Sequence, residues 1–397
     1  MRRSICLISI SPLFRDGRVL RQVKYLAQHY DLTVIGYEPP GKEWLKMQHV
    51  RWVSIPYPHK RNLFFRVYRV AIKLLGRLWP GAYNLWYKFN SDHVNALKHA
   101  CEIRHDVYQA DEHEALPASV EAARRYSAKL MYDAHEYALA LGEHSWSWKF
   151  LYRPKIEYVF RKYLPQVSAS LTFAPLIAER FKQEYGINPI VVLNAPERVT
   201  GIQSKDFNPD HIQLIHHGAA FRHRRLETMI EALVYCDQRY TLNFMLIDND
   251  PDYVLQLKRL AERLVPGRVT FHASVTPDEI VQRISKYDVG FYSLSPLNFN
   301  QLVALPNKFF DYIAAGLPVC IGPSPSMAEI VCQYGCGVIA ESFAPFDLAT
   351  ALNRTSVEQW VAMREAAKLT SGQLNAENEM KKMLTMYRIM LGERQSA

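Results

Sequence analysis

Pro306–Val319, PNKFFDYIAAGLPV, is the stretch on which the reading of this chain turns. Its apolar residues recur with helical spacing, and Gly316-Leu317-Pro318 stops the helix before a short buried strand. Lys308 and Asp311 stand three apart, so one face of the first helical turn carries a cation and a carboxylate together. That pair suits a ligand with vicinal hydroxyls at one end and phosphate at the other. A first-turn acid that merely complements the helix dipole is the plainer alternative.

Outward from this helix, strands alternate with helices of about 10–15 residues, the rhythm of a parallel sheet with helices on both faces. The second half runs from strand Ile212–His216 to Pro318–Ile321. The first half has its own series, from SICLISI at the start to PIVVLN, and the polar stretch Asn194–Asp210 separates them as a linker. Helix is expected over Val357–Met390. The fold class is therefore α/β, two Rossmann-like domains facing a central cleft, where open α/β sheets bind ligands. The expected boundaries are residues 1–195, a linker at 196–210, 211–375, and a helix at 376–397 crossing toward the first domain.

With 397 residues, 49% hydrophobic and 22% charged, the composition is that of a globular protein and excludes disordered and fibrous classes. Six cysteines form no disulfide framework. Cys332 and Cys336 lack the partners of a zinc site, so a reduced, cytoplasmic setting is expected. The N-terminal MRRSICLISISPLF alternates with serine and runs straight into RDGR, which reads as a first strand rather than a signal peptide. No apolar run reaches the roughly 18 residues of a membrane span. The net charge is +9, and from Leu45 to Ser91 there is no acid at all. Within that block Arg66, Arg69, Lys73 and Arg77 line one helical face among large apolar residues, and HSWSWKFLYRPK at 144–155 repeats the mixture. The expectation is a basic surface docking on anionic lipid.

Other segments carry chemistry. Strand QLIHH runs into Gly218-Ala-Ala-Phe-Arg-His-Arg-Arg and a helix, a turn whose backbone amides, with Arg222, Arg224 and Arg225, can meet a diphosphate. Asp248–Asp252 follows the next strand, and plain turn chemistry is its simpler reading. Arg15, Asp16 and Arg18 open the helix after the first strand, and His135 and Glu136 follow the strand KLMYD at its end.

These segments, in this order, resemble the retaining family 4 of the GT-B glycosyltransferases. PNKFFDYIAAGLPV resembles its donor-site signature, RRLETMIEAL its glycine-loop helix, and FHASVTPDEIVQRISKYDVGFYS a further stretch of the same domain. MYDAHEY and VVLNAPE resemble its first-domain strand end and the segment before its linker. The resemblance implies that Asp311 holds the ribose hydroxyls and that Arg224 and Gly218 meet the diphosphate. It places His135 at the donor sugar, orienting it without attacking, and Arg15, Asp16 and Arg18 near acceptor and donor phosphates. Three positions depart from it: Val303 stands where the first glutamate of the family motif falls, Ala219 where a basic residue follows the glycine, and Asp248-Asn-Asp250 where G-x-G is usual. The expected activity is transfer from a nucleotide-diphospho-sugar, UDP-linked, to a lipid-linked or glycan acceptor of surface polysaccharide or lipopolysaccharide. The expected place is the inner face of the cytoplasmic membrane. No metal or cofactor is expected, and no nucleic acid. The alternatives are a UDP-sugar 2-epimerase of the same architecture and a basic nucleic-acid binder.

Overall fold

The computed structural model describes residues 2–57, 63–202 and 206–393. Lys60 and Arg61 of the acid-free block lie outside them, as do the side chains of Arg15, Phe64 and Arg66. The chain divides into two compact units, Met1–Val192 with Met380–Ala397, and Leu193–Glu379.

The first unit is a seven-stranded parallel sheet, made of β1 (Ser4–Pro12), β2 (Asp31–Tyr37), β3 (Val50–Ile55), β4 (Val107–Asp111), β5 (Lys129–Ala134), β6 (Ala169–Thr172) and β7 (Ile190–Val191). Its order is β3-β2-β1-β4-β5-β6-β7. The second unit is a six-stranded sheet of β8 (Ile212–Ala219), β9 (Tyr240–Ile247), β10 (Val269–Ala273), β11 (Val289–Tyr292), β12 (Val319–Ile321) and β13 (Gly337–Ile339). It is ordered β10-β9-β8-β11-β12-β13. In each sheet the chain winds outward from its first strand and then restarts on that strand's other side. The restart opens a crevice at the carboxyl ends of β1 and β4 in one unit and of β8 and β11 in the other. Strands such as Ile5–Ile8 and Leu242–Leu246 are buried on both faces, as parallel sheets covered by helices require.

The helix expected near residue 308 spans Asn307–Ala314. Phe309, Phe310, Tyr312 and Ile313 are at most 1% exposed, so burial on nearly every side fixes its axis. Each such side chain contributes about 1.5–3 kcal/mol. Gly316 ends it at φ +68, with Leu317 N–H on Tyr312 O and Gly316 N–H on Ile313 O, a Schellman stop. The C-terminal helical stretch is two helices, Val357–Gln373 and Ala376–Leu391, broken at Leu374-Asn375. Met380, Met383, Leu384 and Tyr387 of the last one join the first unit's core.

The described cations of the acid-free block, Arg69, Lys73 and Arg77, lie on aromatic rings, with Lys73 buried and Arg77 still exposed. In the helix Leu63–Leu78, Lys73 is only 5% exposed, with its ammonium 3.3 Å from the Tyr152 ring centroid. Arg69 lies over Trp86 at 4.4 Å and Arg77 over Phe150 at 3.8 Å. With no acid nearby in the sequence to pair with, these cations turn onto aromatic faces, and the helix rolls with them. The opposite stripe, Val67, Val70, Leu74 and Leu78, faces out and ends at Trp79, which is 67% exposed. Among the described residues no helix is long and apolar enough to cross a membrane.

Candidate functional site

At the switch point of the second sheet, Gly218 stands one residue before the end of β8 at φ +115, a conformation natural only to glycine. The Lys308 ammonium comes so close that a Cβ on residue 218 would stand 3.1 Å from it. Lys308 is itself buried, and its fixed neighbours are neutral. Its Nζ lies 3.3 Å from His216 Nε2 and 5.3 Å from the centroid of Tyr292, which closes β11. His216 Nδ1 faces the Phe291 carbonyl at 3.1 Å and so must donate there, which leaves Nε2 as the acceptor for lysine. Burial, and then the Lys308 charge, keep His216 well below the usual imidazole range. The same two causes bring His217 down to about 3. Lys308 is lowered to about 7, first by burial and then by the Arg224 charge, with Asp311 pulling the other way. A cation so placed lacks a full counter-charge, and an anion at Gly218 would supply it.

Asp311 lies one helical turn on, 3.4 Å from His217 Nε2 and partly exposed. The structure thus brings Gly218, Arg224, Lys308 and Asp311 together. It takes Arg222 away: that guanidinium pairs with Asp250 at 2.8 Å, bonds Gln256 and covers the Tyr253 ring. Asp250 also caps the helix Pro251–Leu264. Asn249 bonds the backbone of Ala220 at 2.8 Å, so this loop buttresses the glycine turn, and its simpler reading as turn chemistry suffices. Val303 is 1% exposed in the core, so no polar group enters from that position. The turn after Gly218 leads into a 3-10 segment, Arg222–Arg224, before a helix that opens on Glu227, so no free helix terminus is presented to an anion there. The sequence alone assigns no site role to His216, His217 or Tyr292. Two histidines in a buried strand just before a glycine were the signal that could have found them.

In the first unit, Arg18 does not open toward a phosphate. It is 8% exposed, and its Nε and NH2 hold Asp133 at 2.8 and 2.7 Å while NH1 donates to the Val192 carbonyl. The reason is geometric: the first turn of the helix Gly17–Leu26 sits over the end of β5, and Asp133, fully buried there, requires a cation. Asp16 caps that helix through Val19 N–H and accepts from Ser11 Oγ at 2.7 Å. His135 projects from the end of β5 with Nε2 3.4 Å from Asp133 and 3.7 Å from Asp111. Burial opposes its protonation, but bonding to Asp111 and Asp133 prevails and holds it well above the ordinary value. Burial likewise opposes ionisation of Asp133, yet Arg18 and His135 keep its carboxyl well below the carboxylate range. His135 is therefore a cation near neutral pH, able to donate to a ligand and unable to serve as base or nucleophile.

No protein-family model matches the sequence, and no curated protein matches it. Among solved structures, HepE from Anabaena in complex with UDP-glucose superposes with a TM-score of 0.68 at 16% identity, covering 97% of this chain and 99% of that one. A glycosyltransferase from Rickettsia africae aligns over 100% of both chains, with a TM-score of 0.67 at 14% identity. WaaG, a glycosyltransferase involved in lipopolysaccharide biosynthesis, gives 0.62 at 14% identity, covering 96% of this chain and 98% of that one. The likeness establishes the fold: this chain is built as a GT-B protein, as the resemblance in the sequence implied.

The buried pair under His135 can be tested directly. Arg18→Met strands the Asp133 carboxylate, and urea denaturation at pH 7 is expected to show a loss of about 3–5 kcal/mol in the first unit's transition. A loss below about 1 kcal/mol would mean that Asp133 is satisfied without Arg18.

Proposed function

We propose that this GT-B chain is a glycosyltransferase that moves a sugar, with retention, from a nucleotide-diphospho-sugar to a lipid-linked or cell-surface glycan acceptor. The observation that carries the reading is the cluster at Gly218. A buried lysine with a neutral histidine as its hydrogen-bond partner stands beside a backbone that only glycine permits, with Arg224 and Asp311 at its edges. Lys308 and Arg224 neutralise the diphosphate, Asp311 accepts the ribose hydroxyls, and the charge that develops on the leaving group is met by cations already in place. Because protein cations supply this role, the transfer is read as metal-independent. HepE, similar in fold, has been solved in complex with UDP-glucose, and a UDP-sugar is the donor assigned here.

In the transfer, the acceptor hydroxyl oxygen bonds the anomeric carbon as the bond from that carbon to the β-phosphate oxygen breaks. The hydroxyl proton goes to the departing diphosphate. His135, held protonated between Asp111 and Asp133, donates a hydrogen bond to the sugar and takes no proton, which fits a route without a protein nucleophile. The acceptor's lipid is read as lying in the inner face of the cytoplasmic membrane, in polysaccharide or lipopolysaccharide assembly. The surface assigned to that membrane is the apolar stripe Val67, Val70, Leu74 and Leu78, flanked by the exposed Trp79 and Trp146, in place of the cations that lie on aromatic rings.

Incubated with UDP-sugars and no acceptor, the protein should release UDP and free sugar slowly, with the sugar unchanged at C2 by NMR. Accumulation of the C2 epimer would sink the transferase reading in favour of an epimerase. On sucrose gradients with phosphatidylethanolamine/phosphatidylglycerol vesicles the wild type should float, and the Leu74→Asp/Leu78→Asp variant should remain at the bottom. Equal flotation of both would remove this stripe as the docking surface.

A further inference from the structure

At the switch point of the first sheet lies a cavity of about 420 Å³, and its lining has the opposite charge from the cluster at Gly218. Five carboxylates, Asp16, Asp111, Glu112, Glu114 and Glu136, border it with His113 and His135. The Arg18 charge nearby is already matched by Asp133. Burial raises Asp111 to about 6 and Glu136 to about 7, and the remaining acids still outnumber His135.

Two of these acids have unmet valence inside the protein. Asp111 is 1% exposed; its Oδ1 takes Gln109 Nε2 at 2.9 Å and faces His135, while its Oδ2 is buried with no hydrogen-bond partner. Glu112 Oε1 is likewise buried without a partner. Glu112 also sits at φ +64, a left-handed conformation unfavourable to a side chain of its kind, at the end of β4 where it borders the cavity. Buried acceptor oxygens without donors are costly, so N–H or O–H donors suit this cavity, where His113 Nδ1 and His135 Nε2 are also buried without partners. A phosphate or carboxylate would add acceptors and negative charge to a place already rich in both. A divalent cation fits poorly too. Asp111, Asp133 and His135 offer ligand atoms within 4.8 Å of one another, but Asp133 is taken by Arg18 and Gln22, and the metal would sit beside a guanidinium. Neutral sugar hydroxyls would satisfy the oxygens and leave the charge unmet. An ammonium does both.

We propose that this cavity is the acceptor subsite and that it takes a sugar bearing a free amino group, whose ammonium and hydroxyls donate to Asp111, Glu112 and the neighbouring acids. The inference rests on the transferase reading and adds to it the class of acceptor. It also assigns the two sheets complementary tasks: the second unit selects an anion, and the first rejects one.

The test is ligand-observed NMR and calorimetry on the full chain with glucosamine, N-acetylglucosamine and glucose 6-phosphate, each with and without UDP. Glucosamine is expected to bind at least about tenfold more tightly than N-acetylglucosamine, the scale of one charge-assisted hydrogen bond, and glucose 6-phosphate not to bind once saturating UDP fills the Gly218 site. Glu112→Gln and, separately, Glu136→Gln should each weaken glucosamine about tenfold while UDP binding in the second unit stays as in the wild type. UDP binding in the variants also shows that they are folded. Equal affinity for the amino and N-acetyl sugars, or binding of glucose 6-phosphate while saturating UDP fills the Gly218 site, would overturn the proposal, as would occupation of the cavity by Mg²⁺ or Ca²⁺ alone. If UDP binds and no amino sugar does, this inference fails alone. If UDP does not bind, the transferase reading fails with it.

Discussion

A lysine ammonium enclosed in protein, with an imidazole for its nearest fixed partner, is the constraint around which the second unit is arranged. Water would solvate Lys308 far better than His216 and Tyr292 do, and the drop of its pKa to about 7 expresses that loss. The surrounding fold nevertheless holds it there. The helix Asn307–Ala314 is buried on nearly all sides and closed by the Gly316 stop, so Lys308 cannot swing out without unseating Phe309, Phe310 and Tyr312. Gly218 makes room for the ammonium, and Asn249 clamps the turn that follows. Such a site stores an unmet demand for negative charge beside exposed backbone at a sheet's switch point. An anion there would relieve the demand, and the proposed preference for a diphosphate rests on that. The same arrangement accounts for Ala219: the cation that the family resemblance places after the glycine enters from another helix instead.

The first unit shows the inverse logic. Asp133 is wholly buried, and the structure spends Arg18 and Gln22 on it, which leaves His135 shared between Asp133 and Asp111. The result is a fixed, protonated imidazole in acidic surroundings, suited to holding a sugar in place and unsuited to chemistry that needs a free base. Arg18 therefore acts through Asp133 and His135, and contributes position rather than contact with a ligand.

Much of this was legible in the residues. The helix at Pro306–Val319, its glycine stop and the shared face of Lys308 and Asp311 follow from local spacing, and local hydrogen bonds and sterics decide such features. The alternation of strands and helices disclosed both sheets for the same reason. Three things escaped. The helix Leu63–Leu78 is amphipathic in sequence, but periodicity does not say which face packs inward. Trp86, Phe150 and Tyr152 decide that, two of them some seventy residues downstream, by drawing Arg69, Lys73 and Arg77 onto their rings. Arg18 reads as a loop cation until β5 is laid under it, 115 residues away in the chain. Arg222 and Arg224 look equivalent in sequence, yet Asp250 captures the first and leaves the second beside Lys308.

The central claim is that Lys308 and its neighbours form a diphosphate grip, and proton-linked calorimetry of UDP binding tests it most directly. Bound diphosphate should raise the Lys308 pKa from about 7, so at pH 8 the complex must draw a proton from solution. The account predicts that UDP binds, that the apparent heat differs between phosphate and Tris buffers by the heat of that proton, and that affinity falls as pH rises above 7. Lys308→Met should abolish the buffer difference and weaken binding at least about tenfold. Failure of UDP to bind, or equal binding by Lys308→Met with no proton taken up, would contradict it.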